Sequence, residues 1–536
     1  MEKYKPYAFL LLGSILYCLG FPNIFNILIP FAPILGTAIL IHILVKAETT
    51  KQRLFLYFFY NSCINLISFY WITKTLQEFG HLPFIVAALM NACYAFIFNP
   101  HYWIFIFIYH YVLKKDFKIN FKFRPISTFI IAILFTVIEY FLPQQFPVML
   151  GQPWIVVSKY LGLAPYFGLP LFSFVSYLLA IELALNFKEK KFSKLNFTII
   201  IVIGILNPII DLNEKVKPEE EITEYGVRVV QANISNFLKT ESESGGYSSS
   251  AEVLERYESL SEKEFYPDKK LDLIIWPETA YPFPIYTNKT NLLATKVPTL
   301  FQKIIYHTNA AMLIGGYDHF RDGGIGNYYK TEYNSALYFN SLGQLEDVYH
   351  KHILIPFGET LPFGDFNEII SDYIPDMAFF AEGSKKTVFE ADKKIKFIAS
   401  ICYEILRPEF IREYLNKAIH RPHLMINLTN DSWYGNTVEP ELHLFLARWR
   451  AIEFNLPILR ATNTGISVLI DKDSTEVERM AYGKTGNLDL VLKLPSKISS
   501  EITYFQKYGF WGILPLWFVC FIFHIILIKL KHDKIF

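Results

Sequence analysis

Charge is what this sequence has least of. Only 19% of its 536 residues are Asp, Glu, Lys or Arg, where soluble globular chains average about 25%. The few charges cancel to a formal net +1, which excludes the basic face that a nucleic-acid partner requires. Cysteine is scarce as well. Of Cys18, Cys63, Cys93, Cys402 and Cys520, four fall in apolar segments, so Cys402 stands alone in polar surroundings. With no partner for an internal disulfide there, it is either an inert packing residue or a reactive thiol. His350, His352, His423 and His443 show no metal-ligand spacing, and no internal repeat is present.

What the chain has in excess is apolar residues, 52% of the total. They gather in roughly the first 210 residues and the last 30, with a polar, mixed-charge stretch between. A helix needs about 20 mostly apolar residues to cross a bilayer. Runs of that character predict spans at 7–20, 24–45, 54–75, 84–113, 127–142, 168–187, 195–210 and 509–530, the fourth long enough to break at Asn99-Pro100. Residues 1–20 read as a span rather than a cleaved leader, because a second apolar run follows at once and no small-residue cleavage site stands out. Basic residues mark alternate loops: Lys3 and Lys5, then Lys46, Lys51 and Arg53, then Lys114 to Arg124, then Lys188 to Lys194, then Lys529 to Lys534. By the positive-inside rule both termini are then cytoplasmic and residues 211–505 lie outside. The expected division is 1–210 with seven spans, 211–505 as a catalytic domain, and 506–536 with the eighth span and a cytoplasmic tail.

From Tyr225 the pattern changes to short β-branched and aromatic runs. Strands are predicted at 226–232, 271–276, 311–316, 335–340, 395–401, 423–428 and 465–471, with helices at 251–264, 407–418 and 440–455. Alternating strands and helices indicate an α/β domain. The segment 241–250 (ESESGGYSSS) has no apolar stretch and reads as a mobile loop.

Chemistry gathers where strands of such sheets end. LDLIIW runs into Pro277-Glu278, a second strand precedes Val348-Tyr349-His350-Lys351, and IKFIASI runs into Cys402-Tyr403-Glu404. Singly, a strand-end carboxylate or lysine is ordinary surface charge, and a strand-end thiol is ordinary packing. Together they are chemically complete. Glu278 is placed to take the proton of Cys402, and Lys351 to hold positive charge beside an oxyanion, joined by the backbone N–H that follows Cys402. Glu359 and Glu404 are then expected to keep Lys351 charged and aimed.

The segments WPETA (276–280), HKHILIPFGE (350–359), SICYE (400–404) and NDSWYG (430–435) resemble the signature blocks of the nitrilase superfamily, whose triad is Glu-Lys-Cys. With apolar spans around such a domain, and with HLFLARWRAIE and RATNTGIS further on, the chain is similar specifically to the apolipoprotein N-acyltransferase family. That resemblance covers essentially the whole chain. It implies a polytopic helical membrane domain of about eight spans joined to a nitrilase-like αββα sandwich. Glu278 matches the general base, Lys351 the oxyanion-stabilising lysine and Cys402 the nucleophile, while Glu359, Tyr403 and Glu404 match supporting residues. The family often carries a tryptophan shortly after the first strand, and QANISNFLKTES has none. Phe237 or Tyr247 is the expected replacement, and Trp433 and Tyr434 are expected to shape the pocket.

The resemblance further implies a ping-pong acyl transfer through a Cys402 thioester. The donor is a phospholipid, phosphatidylethanolamine in this family. The acceptor is the α-amine of a lipoprotein's diacylglyceryl-cysteine. It also implies no cofactor and no metal, a monomer, and a place in a bacterial inner membrane with the catalytic domain in the periplasm. Apolar loops 281–286, 361–366 and 374–381 are expected to wall the acyl chain. Two rivals share the features so far: a membrane-tethered hydrolase with the same triad, and a transporter or scaffold. The second requires charged residues inside the spans, where Glu139 and Glu182 are the main ones.

Overall fold

Strand-forming runs and apolar helical runs occupy separate stretches of the sequence, and the computed structural model keeps them in separate units. It describes residues 4–78, 82–96, 99–108, 124–144, 146–189, 193–214, 222–319, 332–356, 358–364, 366–371, 379–392, 395–495 and 501–533. Contacts divide the chain into Met1–Lys217 with Thr437–Glu453 and Thr503–Phe536, and Pro218–Asn436 with Phe454–Ile502.

In the first unit the helices are α1 (Lys5–Cys18), α2 (Ala32–Lys46), α3 (Thr50–Ser68), α4 (Tyr70–Glu78), α5 (Phe84–Tyr94), α6 (His101–Ile108), α7 (Arg124–Phe141), α8 (Ala164–Glu189) and α9 (Lys194–Glu214). Among the described residues two stretches, Ala164–Phe187 and Tyr504–Leu527, are long and apolar enough to cross a membrane, and five further apolar helices are shorter. Eight full spans are thus not what length alone delivers. The expected third span is divided at Phe69, where α3 gives way to α4. The fourth is interrupted between α5 and α6, with Asn99 at φ +49°, the break expected there. Glu139 and Glu182 are buried and held by local donors. Glu139 Oε1 accepts from Tyr177 Oη at 2.6 Å and Leu150 N at 2.9 Å. Glu182 accepts from Thr128 Oγ1, Asn196 Nδ2 and Ser193 N. The basic loop bearing Lys114, Lys115, Lys118 and Lys122 lies outside the described residues.

The second unit holds two sheets. One has the order β13-β1-β2-β4-β5-β6, with β3 added to β4; the other runs β12-β11-β10-β9-β8-β7. In sequence these are β1 (Ile222–Gln231), β2 (Leu273–Trp276), β3 (Pro284–Ile285), β4 (Ala311–His319), β5 (Glu332–Phe339), β6 (Leu345–His350), β7 (Val388–Ala391), β8 (Ile395–Ile401), β9 (Leu424–Thr429), β10 (Ile458–Thr462), β11 (Val468–Ile470), β12 (Glu476–Arg479) and β13 (Gly486–Pro495). Each sheet is parallel at its centre (β1, β2 and β4; β8, β9 and β10) and antiparallel at its margins. The central strands β2, β9 and β10 are buried at every position, as parallel strands covered on both faces must be. The marginal strand β13 alternates buried and part-exposed residues instead.

The sheets stack on each other. Gln231, ending β1, accepts from Thr462 Oγ1 at 3.2 Å and Ser467 Oγ at 2.8 Å on the other sheet. Tyr338 of β5 meets Phe397 of β8 edge-on. Helices α11 (Tyr247–Ser261) and α12 (Thr299–Thr308) cover the outer face of the first sheet through Val253, Tyr257, Phe301 and Ile304. Trp276 stacks on Tyr257 at 4.6 Å and donates to Ser261 Oγ at 2.9 Å. That pairing satisfies its indole N–H and locks the end of β2. On the second sheet α13 (Pro408–Lys417) buries Ile411, Tyr414 and Leu415. The expected mobile loop 241–250 is mostly helical. Helix α10 (Asn236–Glu243) is capped by the Ser235 hydroxyl, Gly245 turns the chain at φ +91°, and α11 begins at Tyr247. Serine there caps and turns the backbone rather than loosening it.

Candidate active site

Pro277 follows β2 and cannot extend its ladder, so the chain leaves the sheet at Glu278. The next residue, Thr279, takes φ +47°, and the backbone N–H groups of Ala280 and Tyr281 donate to Gly315 O at 2.9 and 3.2 Å. This turn lies hard against β4. A Cβ on Gly315 would sit 2.0 Å from Pro277 O. So fixed, the Glu278 carboxylate accepts from Asn334 Nδ2 at 2.8 Å and Lys351 Nζ at 3.1 Å on one oxygen, and from Asn430 N at 2.9 Å on the other.

Lys351 follows β6 and is held at both ends of its peptide. Its N–H donates to Asn334 O at 2.9 Å, and its carbonyl accepts from Gly383 N at 2.7 Å. The side chain is fully buried. Nζ donates to Glu278 Oε1 and, at 2.8 Å, to Glu359 Oε1; Glu359 Oε2 is in turn held by Ile355 N at 2.9 Å. Burial by itself would strip the proton from this amine. The charges of Glu278 and Glu359 outweigh that effect and hold Lys351 well above the ordinary lysine range. It is therefore a fixed cation rather than a proton carrier.

Cys402 begins the turn after β8 with φ +50°, a conformation that costs a non-glycine residue about 1–3 kcal/mol and persists only where the surroundings impose it. The surroundings here are a polar network. Asn427 Nδ2 donates to Cys402 O at 3.3 Å, Arg460 donates to Asn427 Oδ1 at 2.9 Å, and Arg460 forms a fully buried ion pair with Asp431 at 2.9 Å. Burial pushes the Cys402 thiol well above its usual pKa, the Glu278 charge adds to this, and Lys351 pulls the other way. A thiol pushed up in this way suits proton removal on demand rather than a standing thiolate.

Hydrogen bonds thus bring Glu278, Lys351 and Glu359 together, and the charges of all three act on the Cys402 thiol. Glu404, expected to keep Lys351 charged and aimed, makes no hydrogen bond to its ammonium among the described residues, though the Lys351 charge acts on its carboxyl. Its oxygens accept from His352 N, Ile353 N, Ile401 N and Tyr349 Oη at 2.6 to 3.2 Å. It ties the end of β8 to the chain just past Lys351, and burial lifts its carboxyl to about 7. Tyr403 is buried with the Arg407 guanidinium 4.7 Å above its ring, and burial pushes its phenol up to about 12. His350 bonds Asp318 at 2.8 Å and stacks on Tyr333, while His352 stacks on Tyr349. Trp433 is part-exposed with its ring 5.8 Å from Lys239 Nζ, and Tyr434 is half-buried. Phe237 and Tyr247 are 78% and 90% exposed. Of the apolar loops, Phe283, Tyr286, Phe363 and Phe366 are exposed, and residues 374–378 lie outside the described residues.

Sequence reasoning missed Asn334, which donates to both Glu278 and Glu359. It also missed Arg460. In each case the available signal was a polar residue set in a strand of otherwise buried apolar ones, NSALYF and ILRAT.

Comparison with known proteins follows these two units. Residues 226–487 match the carbon-nitrogen hydrolase family profile, and residues 13–181 match that of the apolipoprotein N-acyltransferase N-terminal domain. The chain is 27% identical over 482 residues to an apolipoprotein N-acyltransferase of Haemophilus ducreyi, covering 87% of this chain and 86% of the relative. With an apolipoprotein N-acyltransferase of Bdellovibrio bacteriovorus the identity is 28% over 505 residues, covering 90% and 88%. Apolipoprotein N-acyltransferase 2 of Treponema denticola is 25% identical across 99% of this chain and 98% of its own length.

Proposed function

Since this chain belongs to the apolipoprotein N-acyltransferase family, we propose that it carries an acyl chain from a phospholipid to the N-terminal amine of a diacylated lipoprotein, by way of a thioester on Cys402. The observation that carries this reading is Lys351 Nζ, fully buried and fixed at 3.1 Å from Glu278 and 2.8 Å from Glu359, with the charges of all three acting on the Cys402 thiol.

In the first half-reaction Glu278 takes the thiol proton as Sγ attacks the ester carbonyl carbon of the phospholipid. The oxyanion that forms is met by the Lys351 ammonium and the backbone N–H of Tyr403. Collapse breaks the ester C–O bond, the departing alkoxide takes the proton back from Glu278, and a lysophospholipid leaves. In the second half-reaction Glu278 receives a proton from the acceptor's α-amine as nitrogen attacks the thioester. The C–S bond then breaks, the amide leaves, and the proton returns to Cys402. Glu359 and Asn334 act by holding Lys351 and Glu278 in register. Both substrates are anchored in a bilayer, which gives membrane helices their place in such an enzyme. Phe84, Ile85 and Leu89 on α5, and Phe518 and Val519 on the C-terminal helix, expose apolar surface suited to lipid. The alternation of basic loops in the sequence supports a reading with the catalytic unit on the periplasmic side of an inner membrane and both termini in the cytoplasm.

The test is intact mass after incubation with phosphatidylethanolamine, wild type against Cys402→Ala. A hydroxylamine-sensitive gain of one acyl group, absent from the variant and discharged onto a diacylated lipopeptide, is the expected result. An adduct discharged by water alone makes the protein a hydrolase, and no adduct in either protein overturns the proposal.

A further inference from the structure

The hydrogen bonds of Glu278 make its two carboxylate oxygens unequal. An ionised carboxylate offers about two lone-pair sites on each oxygen. On Oε1 both are spent, on Asn334 Nδ2 at 2.8 Å and Lys351 Nζ at 3.1 Å. On Oε2 one is taken, by the backbone N–H of Asn430 at 2.9 Å, and among the described residues that is its one donor. The oxygen with room for a proton is therefore Oε2, and the group that aims its remaining lone pair is a peptide N–H.

A peptide aims only as well as it is held. Asn430, the residue after β9, is buried, and its Oδ1 accepts from Ser432 N at 3.3 Å, Ser432 Oγ at 2.7 Å and Asn463 Nδ2 at 3.1 Å. Asn463, the residue after β10, is buried as well and spends both of its amide hydrogens. Its Nδ2 also donates to Ile234 O at 2.8 Å, while its Oδ1 accepts from Ile234 N at 2.8 Å. Turned over, this amide would set its oxygen against Ile234 O and Asn430 Oδ1, so its orientation is fixed. The backbone of Asn463 is engaged too. Its N–H donates to Thr429 O at 3.3 Å, and its carbonyl accepts from Asn233 N at 2.9 Å. One residue thus ties the ends of β1 on the first sheet to those of β9 and β10 on the second, next to the peptide that holds Glu278.

We propose that Asn463 is a positioning residue for the general base: through the Asn430 side chain it holds the Asn430 N–H against Glu278 Oε2, and so directs the lone pair that takes the proton in both half-reactions. The assignment rests on the acyl-transfer reading above and adds which oxygen reacts and what aims it. In the first step the S–H bond of Cys402 breaks as an O–H bond forms on Oε2, and that proton goes to the departing alkoxide. In the second the acceptor's N–H bond breaks as O–H forms on the same oxygen, and the proton goes to the sulfur of Cys402. Because one oxygen serves both steps, a misaimed Asn430 peptide slows both. A residue that recognised one substrate would slow one alone.

The experiment follows the two half-reactions separately, by intact mass, in the full-length, detergent-solubilised protein. Thioester formation from phosphatidylethanolamine is timed first, then discharge of the isolated acyl-enzyme onto a diacylated lipopeptide. Each is run against substrate concentration to give a limiting rate and a half-saturating concentration. Wild type, Asn463→Ala, Asn430→Ala and the double variant are compared. Asn463→Ala is expected to lower both limiting rates by about 100-fold, the cost of a displacement on the order of 1 Å, with both half-saturating concentrations within about threefold of wild type. Asn430→Ala keeps the backbone N–H, removes its anchor and should do the same. The double variant should lose no more than about threefold beyond Asn430→Ala, because residues that act through one contact do not add. Ser432→Ala removes one of the bonds to Asn430 Oδ1 and leaves Asn463 untouched, so it decides the matter if Asn463→Ala does not fold. Both limiting rates should then fall by about three- to tenfold, and undiminished rates overturn the proposal. So does a loss confined to one half-reaction, a raised half-saturating concentration at an unchanged limiting rate, or losses that add in the double variant. A wild type that is never acylated overturns the acyl-transfer reading and this inference with it. An acylated wild type matched by its variants overturns the inference alone.

Discussion

Replacing Lys351 by methionine removes the cation that both active-site carboxylates grip, while keeping most of the side chain's volume. Glu278 Oε1 and Glu359 Oε1 each lie within about 3 Å of Nζ, so they are at most about 6 Å apart. At an effective dielectric near 20, two unit charges at that distance repel by about 3 kcal/mol. Leaving buried charge without its partner costs about 3–5 kcal/mol in all. In wild type the amine is held well above the lysine range. A raised folded-state pKa contributes stability below the unfolded value that is lost only as pH climbs through the folded one, so its contribution is constant between pH 5 and 8. The variant lacks that contribution throughout this range. Thermal unfolding of the full-length protein in detergent, scanned at one rate at pH 8, measures the loss. The expected drop is about 10 °C for a unit of this size, and a second change, Glu359→Gln, should restore part of the lost stability without restoring acylation. A Lys351→Met protein as stable as wild type, or one that Glu359→Gln does not stabilise, would refute the electrostatic account.

Gly315→Ala tests the close approach behind Glu278. The new Cβ would lie 2.0 Å from Pro277 O and 2.7 Å from the Glu278 Cα, so the turn must move. Thioester formation should fall about 100-fold, since displacements on the order of 1 Å are that costly to a positioned group; a rate within threefold of wild type would mean that the turn has slack. Gly465→Ala aims at the network behind Cys402. Its Cβ would meet Asp431 Oδ2 at 2.0 Å, pushing apart the buried Asp431–Arg460 pair. A loss of about 3 kcal/mol is expected, read as a lower unfolding temperature together with slower alkylation of Cys402 by iodoacetamide. An unchanged melting curve counts against it.

How much of this was visible beforehand depends on the range of the interaction. Strand-end placement of Glu278 and Cys402 was legible because β2 and β8 are short apolar runs bounded by breakers, a local signal. The lysine's carboxylate partner was half legible. Glu359 lies eight residues after Lys351, and the loop between them closes on itself through Gly358 N and Glu359 N donating to Ile355 O. The hydrogen-bond partners of Glu404 were not legible, because its four donors are mostly backbone N–H groups, which every sequence carries and no residue type announces. Strands β6, β7, β10 and β13 escaped for related reasons. β6 (LEDVYH) and β10 (ILRAT) carry charge, and β13 is half exposed, so neither a continuous apolar run nor a strong β-branched run marks them.

The membrane helices show the opposite failure, in which a clear local signal overstates regular structure. Hydropathy reads 54–75 as continuous and leaves only Asn99-Pro100 to mark a break in 84–113, yet both carry interruptions, at Phe69 and around Asn99. Each break is satisfied from within the same unit. Asn91 Nδ2 donates to Phe69 O at 3.0 Å, and Tyr57 Oη donates to Asn99 O at 2.6 Å. An apolar run records only that side chains prefer lipid or core to water. Whether the backbone through it stays helical depends on whether some other helix supplies partners for the freed carbonyls. Here asparagine and tyrosine side chains within the runs supply them, and at Phe69 nothing in the hydropathy betrayed the break.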